Sequence, residues 1–433
     1  MGPMPRPLRV LINAQMIPGG REGGIEQFLM GLVHGLGRLT DGEEQYTLIT
    51  SRERPDWLEP LTGPNQEIVP VGEPVTSRPT LLDRSKAMLG PLRRPAGVLW
   101  RGARQFVRGG GRGQAAILPQ SDGFIESLAG DVIHFPYQVY IRCALPSIYQ
   151  PWDLQHLHLP QFFAEKERTH RDSLYSGACQ SAQAVVAPSC AVKSDLQHQY
   201  GIEARKIFVV HCAPPAALYD SGDGRGREEL RRKFRLPESF GLFPAQTWPH
   251  KNHLKLLEAV WQIRDRNGIA LNLLCPGRKN EHWPVIERRI AELGLREQVI
   301  FPGFVDLAES QAFYRLARFV VFPTLFEGAG MPVIEALREG APVACSDIPP
   351  LREYGGDAVM TFDPNSVESI AEALLRVAND EPLRSELRLR GQERAQNFTW
   401  ERTAKTCRAL YRKVAGVSLT EEDHHLLPAH QLC

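Results

Sequence analysis

At 433 residues the chain is two to three times the size of an ordinary domain of about 150 residues, which excludes a small disulfide scaffold and predicts more than one core. Its 51 Lys and Arg against 50 Asp and Glu leave a net charge of +1, so the chain as a whole is no polyanion binder and no nucleic-acid partner is expected. Hydrophobic residues at 42% and charged residues at 23% exclude wholesale disorder, and no run reaches the roughly 18 to 20 apolar residues that span a bilayer.

In chain order, Leu8–Asn13 reads as a strand, Pro18–Gly24 as a glycine loop, and Phe28, Leu29, Leu32, Val33 and Leu36 as the apolar face of a helix. Further strand-like runs follow at Tyr46–Thr50, Glu67–Val71, Asp131–Phe135, Ala184–Pro188 and Ile207–Cys212. The helix Ala191–Tyr200 has Ser189 to cap its start and Gly201 to end it. A composition break at Asp220–Gly226 precedes a second series of strands at Phe240–Ala245, Leu271–Cys275, Val299–Phe301, Phe319–Pro323, Pro342–Cys345 and Val359–Phe362.

Strands alternating with helices imply parallel sheets covered on both faces, and two series imply two doubly wound Rossmann-like α/β domains. Their expected bounds are 1–218 and 219–397, followed by a C-terminal helix within 398–416 that docks on either domain and a tail over 417–433 that frays. Open parallel sheets bind ligands beyond the carboxyl ends of their strands, so two facing sheets place a site in the cleft between them.

The segment 78–112 departs from this pattern. It carries nine cations against one acid, Asp83, interleaved with residues such as Leu92, Trp100 and Phe106. Two readings stay open: a basic amphipathic surface for an anionic membrane or acceptor, or an insertion whose charges are solvated. Eight scattered cysteines without a CxxC pair read as reduced packing residues, and Met1–Arg6 has neither an apolar signal region nor an acylation motif. A cytoplasmic location is expected, peripheral at the inner face of the membrane if 78–112 binds lipid.

Chemistry concentrates in Val320–Ala336, an apolar strand running into a glycine loop and then a helix opened by Pro332. Gly328, Ala329, Gly330 and Met331 present backbone amides at a helix N-terminus, where the macrodipole favours an anion such as a diphosphate. Glu327 precedes the loop and Glu335 lies one turn into the helix, so their carboxylates can accept hydroxyls on both sides of that anion. A Glu pair at this spacing, taken alone, is equally an ordinary solvated pair.

Glu327-Gly-Ala-Gly-Met-Pro-Val-Ile-Glu335 resembles the E-G-x-G-L-P-x-x-E signature of retaining glycosyltransferases of family 4, with the GT-B fold. Phe301–Phe304, Gly340–Val343, Leu351–Ala358 and Phe398–Trp400 follow in the family's order. The resemblance implies that Glu327 contacts the donor sugar, that Gly328 to Pro332 line its pyrophosphate, and that Glu335 binds ribose hydroxyls. It makes 1–218 the acceptor-binding and 219–397 the nucleotide-sugar-binding domain. Lys251 and Asn252 resemble the family's K-N element, whose Lys neutralises the departing diphosphate; the Arg that many relatives place just before it is replaced by Thr247, Trp248 or His250. Gly24, in Gly23–Gln27, resembles the glycine loop that approaches the donor phosphate across the cleft. Asp153 and His156, in Pro151–Pro160, resemble the family's H-D-x-x-H region, with Trp152 where relatives carry His. His156 is the expected contact to sugar or acceptor, Asp153 its orienting carboxylate, and His158 the lesser candidate.

The implied activity is hexose transfer with retention, from GDP-mannose or a UDP-hexose to a saccharide or lipid-linked acceptor. The leaving phosphate takes the acceptor proton, and neither metal nor cofactor is expected, since no Asp-x-Asp motif follows a strand. An epimerase or hydrolase of the same fold and a non-catalytic nucleotide-sugar binder are the alternatives.

Overall fold

The computed structural model describes residues 6–18, 23–71, 118–215 and 226–427. The basic segment 78–112 and most of the loop Pro18–Gly24 lie outside the described residues.

Seven parallel strands form the first sheet: β1 (Arg9–Ala14), β2 (Gln45–Thr50), β3 (Gln66–Pro70), β4 (Val132–Phe135), β5 (Ser147–Tyr149), β6 (Ala184–Ala187) and β7 (Ile207–Val209), in the order β3-β2-β1-β4-β5-β6-β7. Six more form the second: β8 (Gly241–Leu242), β9 (Leu273–Pro276), β10 (Val299–Gly303), β11 (Phe319–Phe322), β12 (Val343–Ser346) and β13 (Val359–Phe362), in the order β10-β9-β8-β11-β12-β13. Register is parallel throughout, as in Val10↔Tyr46 and Val320↔Val343. β5 is the strand that the sequence pattern does not announce. It has three residues between two prolines, too few to display a period, and is fixed by pairing between β4 and β6.

Successive residues of a strand point to opposite faces, so each sheet has an apolar layer on both sides. In the first sheet Val10, Ile12, Leu48 and Ile148 pack on one face, Leu11, Ile133, Tyr149 and Val185 on the other. The helix Gly24–Gly37 buries Phe28, Leu29, Leu32, Val33 and Leu36 on the first of these layers. Ser189 accepts from Val192 N–H to cap the helix Cys190–Tyr200, and Gly201 ends it in the left-handed conformation at φ 65°.

The helix Trp400–Val414 returns to the first sheet and lies against Gly24–Gly37. Trp400 Nε1 donates to Pro214 O at 3.1 Å and Thr403 Oγ1 to His211 O at 2.8 Å. Arg408, 1% exposed, forks onto both carboxylate oxygens of Asp41, and Arg412 bridges Glu44 to Asp423. The expected fraying after Gly416 is therefore corrected: Glu421–Leu426 is a short helix closed by a Thr420/Asp423 capping box, with the Asp423 carboxylate buried against Arg412. The cysteines need a second correction. Six described ones are free, whereas the half-buried Cys190 is disulfide-bonded, an arrangement that no local spacing signals.

No helix among the described residues is long and apolar enough to cross a membrane.

Candidate functional site

β11 delivers the chain from the second sheet into the loop Pro323–Gly330, and the helix Met331–Arg338 starts with Pro332 in its first turn. Among the described residues, no backbone carbonyl accepts from the N–H groups of Gly328, Ala329, Gly330 or Met331. Four donors thus lie at the positive end of a helix dipole, unclaimed by any carbonyl among the described residues.

The β8 side is laced to this loop. His250 O accepts from Leu325 N–H at 2.8 Å and from Thr324 Oγ1 at 3.2 Å. Asn252, left-handed at φ 63°, donates its side-chain amide to Pro323 O and Pro364 O, both at 2.9 Å. These bonds bring Lys251 Nζ to 2.6 Å from Glu327 Oε1, with both side chains partly open to solvent. Asn252, expected to hold the donor, uses its side-chain N–H groups to fasten two strand ends. Burial keeps the His250 imidazole neutral far below its ordinary range, and its carbonyl carries the local contacts.

Glu335 accepts from Tyr314 OH at 2.9 Å. Burial pushes its carboxyl up to about 7, the Tyr314 hydrogen bond opposing and the nearby Glu339 charge adding to that shift. Glu327 and Glu335 thus differ: one is paired with an ammonium, the other poised near neutrality. Tyr314, the partner of Glu335, carries no motif of its own and comes from a different helix.

The N-terminal unit meets the loop at Gly328. A Cβ built there would stand 2.7 Å from Trp152 O and 3.0 Å from Asp153 Cβ, distances no side chain tolerates. Trp152 holds the left-handed backbone, φ 74°, at a cost of the order of 1 to 3 kcal/mol for a bulky residue. Its indole is fixed by a 2.9 Å bond from Nε1 to Pro136 O and by an edge contact with Phe28 at 5.0 Å between ring centres. Asp153 accepts from Gln155 N–H at 3.0 Å. Its carboxyl is raised first by burial and then by the Glu327 charge, while the Gln155 amide, Arg171 and Lys251 pull it down, so it feels both members of the opposing ion pair.

Gly24 and Met331 also face each other, since a Cβ at Gly24 would lie 2.2 Å from Met331 Cε. The Met331 side chain is buried in the apolar layer of the first sheet with Phe28, Trp152 and Trp400, which leaves the backbone amide, the group expected at the loop, as its contribution.

His156, the expected contact to sugar or acceptor, lies away from the surface. It is fully buried, edge-on to Tyr175 at 5.3 Å, with Nε2 3.3 Å from Tyr200 OH, and burial lowers its imidazole to about 4. Two residues on, the same short helix Gln155–His158 turns His158 outward. There it stacks on Phe326 at 5.3 Å and 26°, and its Nε2 meets Asp195 at 2.7 Å. The histidine beside the loop is therefore the one ranked lower from sequence. Alternation around a helical turn decided this, and the sequence alone does not say which side faces the loop.

Residues 226–394 match the Glycosyl transferases group 1 family. The chain is 24% identical over 253 residues to O-antigen chain mannosyltransferase B of Escherichia coli, covering 58% of this chain and 65% of that one. It is 28% identical over 240 residues to a D-inositol 3-phosphate glycosyltransferase of Corynebacterium glutamicum, covering 53% and 57%. It thus spans less than two thirds of the length of either relative. Among solved structures, Anabaena HepE in complex with UDP and glucose superposes with a TM-score of 0.65 at 16% identity, over 94% of this chain and all of that one. The chain carries a group 1 glycosyl transferase domain over residues 226–394 and has the GT-B fold.

Proposed function

We propose that this chain is a retaining glycosyltransferase that moves a hexose from a nucleoside diphosphate sugar to a hydroxyl of a saccharide or lipid-linked acceptor. The observation that carries the reading is the set of four unclaimed amides at the start of Met331–Arg338, bracketed by the Lys251–Glu327 pair and Glu335. A diphosphate satisfies those amides, the Lys251 ammonium balances the charge that grows on its leaving oxygen, and Glu335 accepts ribose hydroxyls. The bond from the anomeric carbon to the phosphate oxygen breaks as the acceptor oxygen bonds to the same face, and the acceptor proton passes to that phosphate oxygen. No protein base or metal is required for this balance. Asp153, facing Gly328, and His158, beside Phe326, close the sugar end from the opposite unit.

Mannose from GDP-mannose is the favoured donor because relatives are named as mannosyltransferases, and UDP-glucose is second because a structural neighbour holds UDP and glucose. Thermal-shift measurements with GDP-, UDP- and ADP-sugars rank the donors, since a ligand of the folded state raises the melting temperature. Mass spectrometry of products with saccharide and lipid-linked acceptors then tests transfer in the presence of EDTA. An epimerised or merely hydrolysed sugar, or binding without any turnover, replaces the transferase reading.

A further inference from the structure

Three consecutive residues of the N-terminal unit are each held by the C-terminal unit. Pro188 O accepts from Tyr354 OH at 2.7 Å, Ser189 Oγ donates to Gly328 O at 2.8 Å, and Cys190 N–H donates to the two oxygens of Glu353 at 2.8 and 3.0 Å. The neighbouring strand end adds to the clasp: His211 Nε2 lies 2.6 Å from Glu353 Oε1, and Cys212 N–H donates to Tyr354 OH at 3.0 Å.

The middle bond differs from its neighbours because it ends on the loop of unclaimed amides. Ser189 is fully buried, and its hydroxyl works in both directions: it accepts from Val192 N–H as the helix cap and donates its single proton to Gly328 O. In a trans peptide the C=O and the following N–H point in opposite directions. Holding Gly328 O toward Ser189 therefore turns the Ala329 N–H away from it, and that N–H is one of the four with no acceptor among the described residues. Gly328 has no Cβ, and the approach of Trp152 and Asp153 leaves room for none, so side-chain packing at 328 does not set this peptide plane.

We propose that Ser189 is a positioning residue for the donor loop: the N-terminal unit sets the loop's amides through the Gly328 carbonyl when the two units meet. The proposal rests on reading the loop as the diphosphate site. Ser189 touches no substrate and acts through Gly328 alone.

The test separates the hydroxyl from the helix cap. Gly caps a helix almost as well as Ser, whereas Ala does not, and Thr keeps both functions. S189G and S189A should each lose about tenfold in kcat, the rate equivalent of one hydrogen bond, although only S189A loses melting temperature, and S189T should recover most of the rate. A second readout needs no substrate: the backbone amide resonance of Ala329 should shift in S189G and S189A and stay near its wild-type position in S189T. Wild-type kcat together with an unmoved Ala329 resonance in S189G overturns the proposal. A wild-type chain inactive with every nucleotide sugar sinks the transferase reading instead, and the Ala329 resonance still decides the role of Ser189.

Discussion

The two sides of the cleft are built on different terms. On the C-terminal side the charged groups expected at the site are fixed by partners within their own unit: Lys251 by Glu327, Glu335 by Tyr314, and the β8 loop by Asn252 and the His250 carbonyl. On the N-terminal side the segment 152–158 bends through a strained Trp152, buries one histidine and turns the other outward. The charged groups of the first side are fixed before the units meet, whereas the Gly328 carbonyl of its loop is held by Ser189 from the other unit. The second acquires its meaning only by touching Gly328 and Phe326. Binding energy and specificity are thus expected to divide, nucleotide on the rigid side and sugar with acceptor on the adaptable side.

The division breaks hardest at Lys251. K251A removes the one ammonium shown beside the loop's acid and leaves Glu327 without its partner. Turnover should fall by about 10² to 10³, the cost of deleting one electrostatic contact to a developing oxyanion, while melting temperature changes little because the pair is partly solvated. Steady-state rates with a circular-dichroism melt check both halves, and near-wild-type turnover would remove Lys251 from the chemistry. G328A comes next. Its methyl group would press on Trp152 O and Asp153 Cβ, so the units should fail to meet, with at least a tenfold loss of turnover and a larger radius of gyration by small-angle scattering. Nucleotide affinity should weaken as well, since the loop then loses the hold of Ser189 on Gly328 O.

Glu335 sharpens the comparison through pH. Its carboxyl is raised to about 7, so it gains charge as pH rises through neutrality, and a carboxylate accepts ribose hydroxyls better than the neutral acid. Donor affinity, read by isothermal calorimetry, should increase several-fold between pH 6 and 8. E335Q should flatten that slope. Stability should move oppositely: from about pH 4.5 to 7 the folded state holds a proton that the unfolded state has released, so this group costs stability as pH rises across that window. An affinity that falls with rising pH would contradict the assigned role.

Much of this was legible in the residues. β11, the glycine loop and Pro332 form one contiguous run, and contiguity lets spacing dictate geometry. The same holds for Ser189, Gly201 and the helix Trp400–Val414, whose ends follow from local capping. What escaped was set at long range. Tyr314 reaches Glu335 from another helix, Asn252 is drawn to Pro323 and Pro364 rather than to a ligand, and Met331 is claimed by the apolar layer of the first sheet. Asp423 gave no apolar period because an ion pair with Arg412, not a hydrophobic face, holds its helix.

The two histidines supply the smallest expected effects. His156 and His158 share one short helix, yet one is enclosed by Tyr175 and Tyr200 while the other lies against Phe326. H156A should leave a cavity and cost about 2 to 4 kcal/mol of stability with kcat nearly unchanged for the folded fraction. H158A should spare the melting temperature and lower kcat by about threefold, because its imidazole stacks at the loop and contributes little to the core. The stability of the wild-type chain adds a check on His156. Its folded value of about 4 lies below the ordinary 6.5, so the unfolded state binds the proton first, and this contribution is present above pH 6.5 and lost as pH falls toward 4. Removing His156 should therefore lessen the acid sensitivity of unfolding. If H156A leaves the acid transition unchanged, the enclosed position assigned to its ring is wrong.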